Sequence, residues 1–290
     1  MPPTTSIKSY TDYALRRGDK DKAKRWSGVK QASSGGTPVE DLQNALQAVG
    51  VLDAKPDGDY GPNTETAVRR FQWNARNLKY WLVNGTLQFN PPNFLIPVTG
   101  VADAATTQEL KKWVAAGAVA TGNLVRVDLA SYPQLIDETN SIANANLADG
   151  EILVDADFIG SLQLLNGAAE GANVKLYITQ AFRVAGVPVS GAVVTPATKS
   201  QHLIGHAIDC NILDGKTRVN SSAFADGTET DAADAFVQAA KNAGLRWGGD
   251  FNPVDYVHFD DFVAPHSDDY LMRYFFNQRT IARQQPILSA

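Results

Sequence analysis

Apolar positions recur along the first part of the chain at helical intervals, and after it they follow a mixed rhythm. From Val39, the residues Leu42, Leu46 and Val49 fall three to four positions apart, which gathers them on one helix face, and Gly50 closes the run as a C-terminal cap. Asp57-Gly-Asp-Tyr-Gly-Pro-Asn-Thr64 is a dense turn, after which Asn63 or Thr64 is placed to cap a second helix bearing Ala67, Val68 and Phe71 on one face. Val98 to Asp103 then feeds a third short helix running through Leu110 and Trp113. Three short helices with turns between them bury one small core. Beyond an Ala- and Gly-rich stretch from Val114 to Gly122, a helical pattern over Ala232–Ala243 ending at Gly244 is mixed with β-like runs at Val174–Thr179 and Tyr256–Phe259. The second part is therefore expected to be an α+β domain.

Composition narrows the classes of partner. A chain of 290 residues with 44% hydrophobic and 20% charged residues suits two modest globular domains. The net charge of −5 gives no reason to expect nucleic acid as a partner. The N-terminal thirty residues differ, with Lys8, Arg16, Arg17, Lys20, Lys22, Lys24, Arg25 and Lys30 against Asp12, Asp19 and Asp21. So short a basic stripe is screened by salt, and a solvated helical face is the expectation there. Gln31-Ala-Ser-Ser-Gly-Gly-Thr-Pro38 has linker composition. No apolar run approaches the ~20 residues of a membrane span. Met1-Pro2-Pro3-Thr4-Thr5 lacks the charged-then-apolar layout of a secretory leader, so synthesis in the cytoplasm without a Sec-type route is expected. Cys210, the sole cysteine, cannot form an internal disulfide, and alternation along an extended segment turns it away from Asp209.

The chemistry concentrates late in the chain. Three of the four histidines lie in Ser200-Gln-His202-Leu-Ile-Gly-His206-Ala-Ile-Asp209 and Asp255-Tyr-Val-His258. A catalytic zinc site commonly takes three protein ligands and leaves one position open. His202, Asp209 and His258 form one such set, provided that a turn at Gly205 leads into a strand. The rival pair His202 and His206 has i, i+4 spacing but lacks the Glu after the first His that helical zinc proteases use, so spacing favours the first set. Asp255 is then placed either to take a proton from an attacking water or to orient the His258 ring. Asp260 and Asp261 enter as ligands only if His258 does not, and His266, in a loop-like setting, is expected at the surface.

Two resemblances follow from these residues. Asp41 to Gly50, Asp57 to Thr64, Ala67-Val-Arg-Arg-Phe71-Gln72 and Thr99-Gly100-Val101 together resemble the three-helix peptidoglycan-binding domain of cell-wall hydrolases, with a longer connection than that family's over residues 74–97. Ser200-x-His202-x-x-Gly205-x-Ala207-x-Asp209, Gly244-Leu-Arg-Trp247-Gly-Gly-Asp250 and Asp255-x-x-His258 resemble the M15 zinc peptidases, which include D-Ala-D-Ala carboxypeptidases and the L-alanyl-D-glutamate endopeptidases of phage lysins. That resemblance implies Zn2+ on His202, Asp209 and His258, Asp255 as general base, and Arg183 in Gln180-Ala-Phe-Arg183 as the arginine facing the developing oxyanion. It demotes His206 to a packing or rim residue, and Ser200, Trp247 and Gln180 become the candidate substrate contacts.

The architecture expected is a basic segment and linker (1–36), a three-helix wall-binding bundle (37–117), a linker (118–125) and an α+β peptidase of the Hedgehog/DD-peptidase type (126–290). The activity implied is hydrolysis of bacterial peptidoglycan stem peptides by a monomeric phage-endolysin-like L-alanyl-D-glutamate endopeptidase, reaching the wall through a holin or another delivery machine. A D-Ala-D-Ala carboxypeptidase, a wall-degrading effector and an inactive wall-binding protein are the alternatives.

Overall fold

The computed structural model describes residues 14–22, 37–137, 147–187 and 198–290 and divides into two compact units, Met1–Thr121 and Gly122–Ala290. Lys8, Lys24, Arg25, Lys30 and most of the expected linker before Pro38 lie outside the described residues.

In the first unit, α1 (Pro38–Ala48) and α2 (Pro62–Asn77) each open on a proline. Proline suits this first position because its missing N–H would have had no intrahelical partner and its φ is preset. The start of α2 therefore falls at Gly61-Pro62, ahead of the expected Asn63 or Thr64 cap, and Thr64 is instead buried with its hydroxyl accepting from Gln43 Nε2 at 2.9 Å. Val39, Leu42, Leu46, Ala67, Val68 and Phe71 are all fully buried. The connection after α2 forms a hairpin of β1 (Tyr80–Val83) and β2 (Thr86–Phe89). The third helix, α3 (Ala104–Ala116), is capped by Asp103, which accepts from the Thr106 N–H at 2.9 Å, and ends at left-handed Gly117.

β3 (Ala118–Val119) pairs with β1, so the expected linker begins as a strand of the first unit. Trp81 meets Trp113 edge-on at 5.2 Å, and Trp73 is buried. Residues 14–22 are turns rather than a helix, with Leu15 bridged to Ala102 and Lys20 to Asp59.

The second unit runs β4 (Leu124–Asp128), β5 (Leu135–Asp137), β6 (Glu151–Asp155), α4 (Ile159–Gly171), β7 (Lys175–Gln180), β8 (Ala207–Asp214), β9 (Thr217–Val219), α5 (Ser221–Asp226), α6 (Asp231–Asn242), β10 (Arg246–Trp247), β11 (His258–Asp260), α7 (Asp268–Ala282) and β12 (Leu288–Ser289). The main sheet has the order β10-β11-β8-β7-β5 with β9 paired to β8, and a second sheet has the order β12-β4-β6. The α+β expectation is met. Leu162 and Leu165 of α4 and Phe236 and Val237 of α6 pack with Ile208, Cys210 and Ile212 of β8 in one core. Because strand side chains alternate, the intervening Asp209 projects from the opposite face. Cys210 is thereby a core residue, and burial pushes its thiol pKa up.

Candidate metal centre

The sheet register sets Asp209 of β8 directly opposite His258 of β11. His202 arrives from a 3-10 turn, Gln201–Leu203, whose N-terminal Ser200 hydroxyl accepts from the His202 N–H at 3.3 Å. The chain then reverses at Gly205, where φ is +79° and a Cβ would stand 2.5 Å from the Asp155 nitrogen. Only glycine fits a left-handed position pressed so closely on backbone. The same approach lets the Asp155 N–H donate to the Gly205 carbonyl at 2.9 Å.

These elements bring three acceptor atoms together: His202 Nε2, Asp209 Oδ1 and His258 Nδ1, with separations of 3.0, 3.1 and 3.1 Å. Among the described residues they form the one cluster of three or more side chains able to hold a metal ion. The outer ring nitrogens fix the tautomers. His202 Nδ1 lies 2.7 Å from the Ala181 carbonyl, and His258 Nε2 lies 2.9 Å from Asp260 Oδ2. Both of these oxygens can only accept, so the ring protons belong on the outer nitrogens and the inner lone pairs face one another. Three lone pairs at such distances repel unless a cation or an added proton lies among them.

The dimensions fit a small cation, since ligand-to-ligand edges in a tetrahedral zinc site with bonds of about 2.0–2.1 Å run to about 3.3 Å. The mixed nitrogen and oxygen donor set suits zinc better than the six to eight oxygens that calcium takes.

The electrostatics agree with this fit. Burial works against a charged His258, yet Asp209 and Asp260 outweigh it and push its pKa up to about 9. Burial would likewise raise Asp209, but the attraction of His202 and His258 holds it well below the usual carboxylate range. This pocket is built for positive charge.

Asp255 differs from Asp209 in both surroundings and effect. A side chain at Gly248 would collide with the Asp255 carbonyl, and the Asp255 N–H donates to the Gly248 carbonyl at 2.8 Å, fixing the loop ahead of His258. Burial first, and repulsion from Asp209 second, raise the Asp255 pKa against the pull of His258 and His202. Arg183 follows the end of β7, its guanidinium 3.5 Å from Gln180 Oε1 and within electrostatic reach of Asp209.

Residues 35–78 match the family model of a peptidoglycan binding domain, and residues 194–261 match the model described as D-alanyl-D-alanine carboxypeptidase. The chain joins a peptidoglycan-binding domain to an M15-type peptidase domain. No curated protein matches it. The M15 match spans His202, Asp209, Asp255 and His258, whereas Arg183 and Gln180 lie ahead of it.

Within the peptidase domain, the three residues expected to touch substrate all have structural work. Ser200 caps the His202 turn and its carbonyl accepts from the Tyr270 hydroxyl at 3.0 Å. Trp247 donates from its indole to the Tyr256 carbonyl at 2.8 Å and stacks its ring on Gly249. Gln180 pairs with Asp209 in the sheet and meets Arg183. His206 is buried rather than at a rim, 2.8 Å from Asp261 and 3.6 Å from Asp155. His266 is exposed beside Lys199.

Sequence reasoning weighed Asp260 only as a rival ligand and missed its contact with the His258 ring, because nothing in the one-dimensional order says that a residue two after His258 in a strand returns to that ring. It also missed Asp155, Arg273 and Asn277, which pin the Gly205 turn from distant elements.

Proposed function

We propose that this protein is a zinc-dependent peptidoglycan endopeptidase of the endolysin type, cutting the L-alanyl-D-glutamate bond of the stem peptide, with His202, Asp209 and His258 holding the metal. The observation that carries this reading is the triangle of His202 Nε2, Asp209 Oδ1 and His258 Nδ1, all turned inward within 3.1 Å of one another. Zn2+ held there would polarise the scissile carbonyl and acidify water.

Asp255 is the base. Burial and the neighbouring Asp209 raise its proton affinity, so it can take a proton from the attacking water and return it to the leaving amine. Arg183, charged and partly desolvated, lies on the side of Asp209 and answers the charge that develops on the carbonyl oxygen. Binding of the first domain to polymeric wall raises the local concentration of cleavable peptide around the second.

The resemblance of the Asp255-x-x-His258 pattern to endopeptidase-type members supports the L-alanyl-D-glutamate bond. The description of the matching family supports a second reading, a D-Ala-D-Ala carboxypeptidase. Mass spectrometry of muropeptides from purified sacculi separates them. An endopeptidase releases the stem peptide from its first L-alanine, a carboxypeptidase releases only terminal D-alanine, and products unchanged by zinc removal would sink both.

A further inference from the structure

Asp260 is 1% exposed and belongs to no ligand set, yet its carboxylate accepts from four donors. Oδ1 takes Arg246 Nε at 2.7 Å and the Phe262 N–H at 3.1 Å, while Oδ2 takes Arg246 Nη2 at 2.6 Å and His258 Nε2 at 2.9 Å. Antiparallel pairing of β10 with β11 sets Arg246 directly opposite Asp260, so the sheet aims the guanidinium fork at the carboxylate. Such a two-point pair fixes the plane of the acid as well as its place. Arg246 is itself held between rings, 3.9 Å from the centre of Phe262 and 4.9 Å from that of Phe251. Phe262 adopts φ +50°, a costly conformation for a bulky side chain, and there its N–H reaches Asp260.

We propose that Asp260, clamped by Arg246, is a positioning residue for His258: it keeps the ring proton on Nε2 and so commits the Nδ1 lone pair to the metal. The proposal rests on His258 being a metal ligand. Asparagine at 260 inverts the interaction at nearly constant shape. Its amide group meets Arg246 and the Phe262 N–H if it occupies the Oδ1 place, or Arg246 and the His258 proton if it occupies the other. The ring can answer the second clash only by moving its proton to Nδ1, which removes the ligand lone pair.

The test measures the zinc dissociation constant of the full chain by competition with a chromophoric chelator, and the visible absorption of the Co2+ form, for Asp260→Asn, Arg246→Lys and His258→Ala. Asp260→Asn is expected to bind zinc about ten- to a hundredfold more weakly and to shift the Co2+ bands, with Arg246→Lys moving both in the same direction by less. A purely structural role would lower the thermal midpoint of the metal-free protein and leave both readouts of the folded form in place. An unchanged zinc constant for Asp260→Asn, where His258→Ala loses zinc, overturns the proposal. Parent-like zinc binding by His258→Ala overturns the ligand assignment beneath it. If Asp260→Asn does not fold, Arg246→Lys decides by the same criteria.

Discussion

Gln43 and Gln72 in the wall-binding unit and the His202, Asp209 and His258 set in the peptidase unit are all polar side chains withdrawn from water, but they are answered differently. Gln43 Nε2 shares its two hydrogens among Asp57 Oδ1, the Asp59 carbonyl and the Thr64 hydroxyl, while its Oε1 accepts from the Asp57 and Gly58 N–H groups. Gln72 Nε2 donates to Val101 and Thr106, and its Oε1 accepts from Thr99 and Gly100. Each amide thus ties a helix to a turn with every capacity used. In the peptidase unit, His202 Nε2, Asp209 Oδ1 and His258 Nδ1 converge on one another, and only a cation or an added ring proton relieves the repulsion among them. Buried polar groups that close on themselves hold shape, whereas buried acceptors that do not are a place for something from outside the chain.

The largest effects should fall where the chain is unfinished. Removing zinc with a strong chelator, or replacing His258 by Ala, is expected to abolish release of muropeptides from sacculi. Metal content measured by plasma emission should fall with it, and activity that survives metal loss would break the comparison at its root. Asp255→Asn should lower turnover by about 10²- to 10⁴-fold, the usual worth of a positioned base. Its zinc content should stay at the parent level, and loss of zinc instead would move Asp255 into the ligand set.

Smaller effects should come from groups that only hold shape. His206 lies between Asp155 and Asp261, with Arg273 on the far side of Asp155. Burial opposes its charge, but hydrogen bonds and attraction from the two carboxylates push its pKa from 6.5 up to about 9. A raised pKa in the folded state means that its contribution is fully present below pH 6.5 and is lost as pH rises through 9, on the order of 3 kcal/mol in all. Denaturant unfolding of the metal-free protein across that window should show the decline in the parent and a shallower one in His206→Gln, where His258 alone of the two still titrates there. Gln43→Leu or Gln72→Leu should destabilise the wall-binding unit by about 1–3 kcal/mol per buried group left unpaired, seen in its unfolding transition. Peptidase rates on a soluble stem peptide should be untouched, and a comparable fall in that rate would erase the distinction between the two units.

Much of this was legible in one dimension because it depends on local spacing. The Leu42, Leu46 and Val49 stripe, the turn that feeds α3 and the Gly205 reversal each act within a few residues, where periodicity and glycine conformation speak for themselves. The start of α2 was misjudged because proline at the first helical position outranked the capping preference of Asn63 and Thr64. The 118–125 segment looked like a linker because small residues suit linkers, but the hairpin strand β1 had an edge to pair, and β3 took it.

By itself the sequence determined the two-part organisation and the residue types able to bind a metal, since helical periodicity and motif spacing are properties of the chain alone. Tertiary structure decided which nitrogen of each histidine faces inward, that Asp260 meets the outer nitrogen of His258, and that His206 belongs to a buried ion network. Those outcomes depend on the register of β8 with β11, on the Ala181 carbonyl and on side chains from α7, contacts between residues far apart in sequence whose pairing no local pattern encodes.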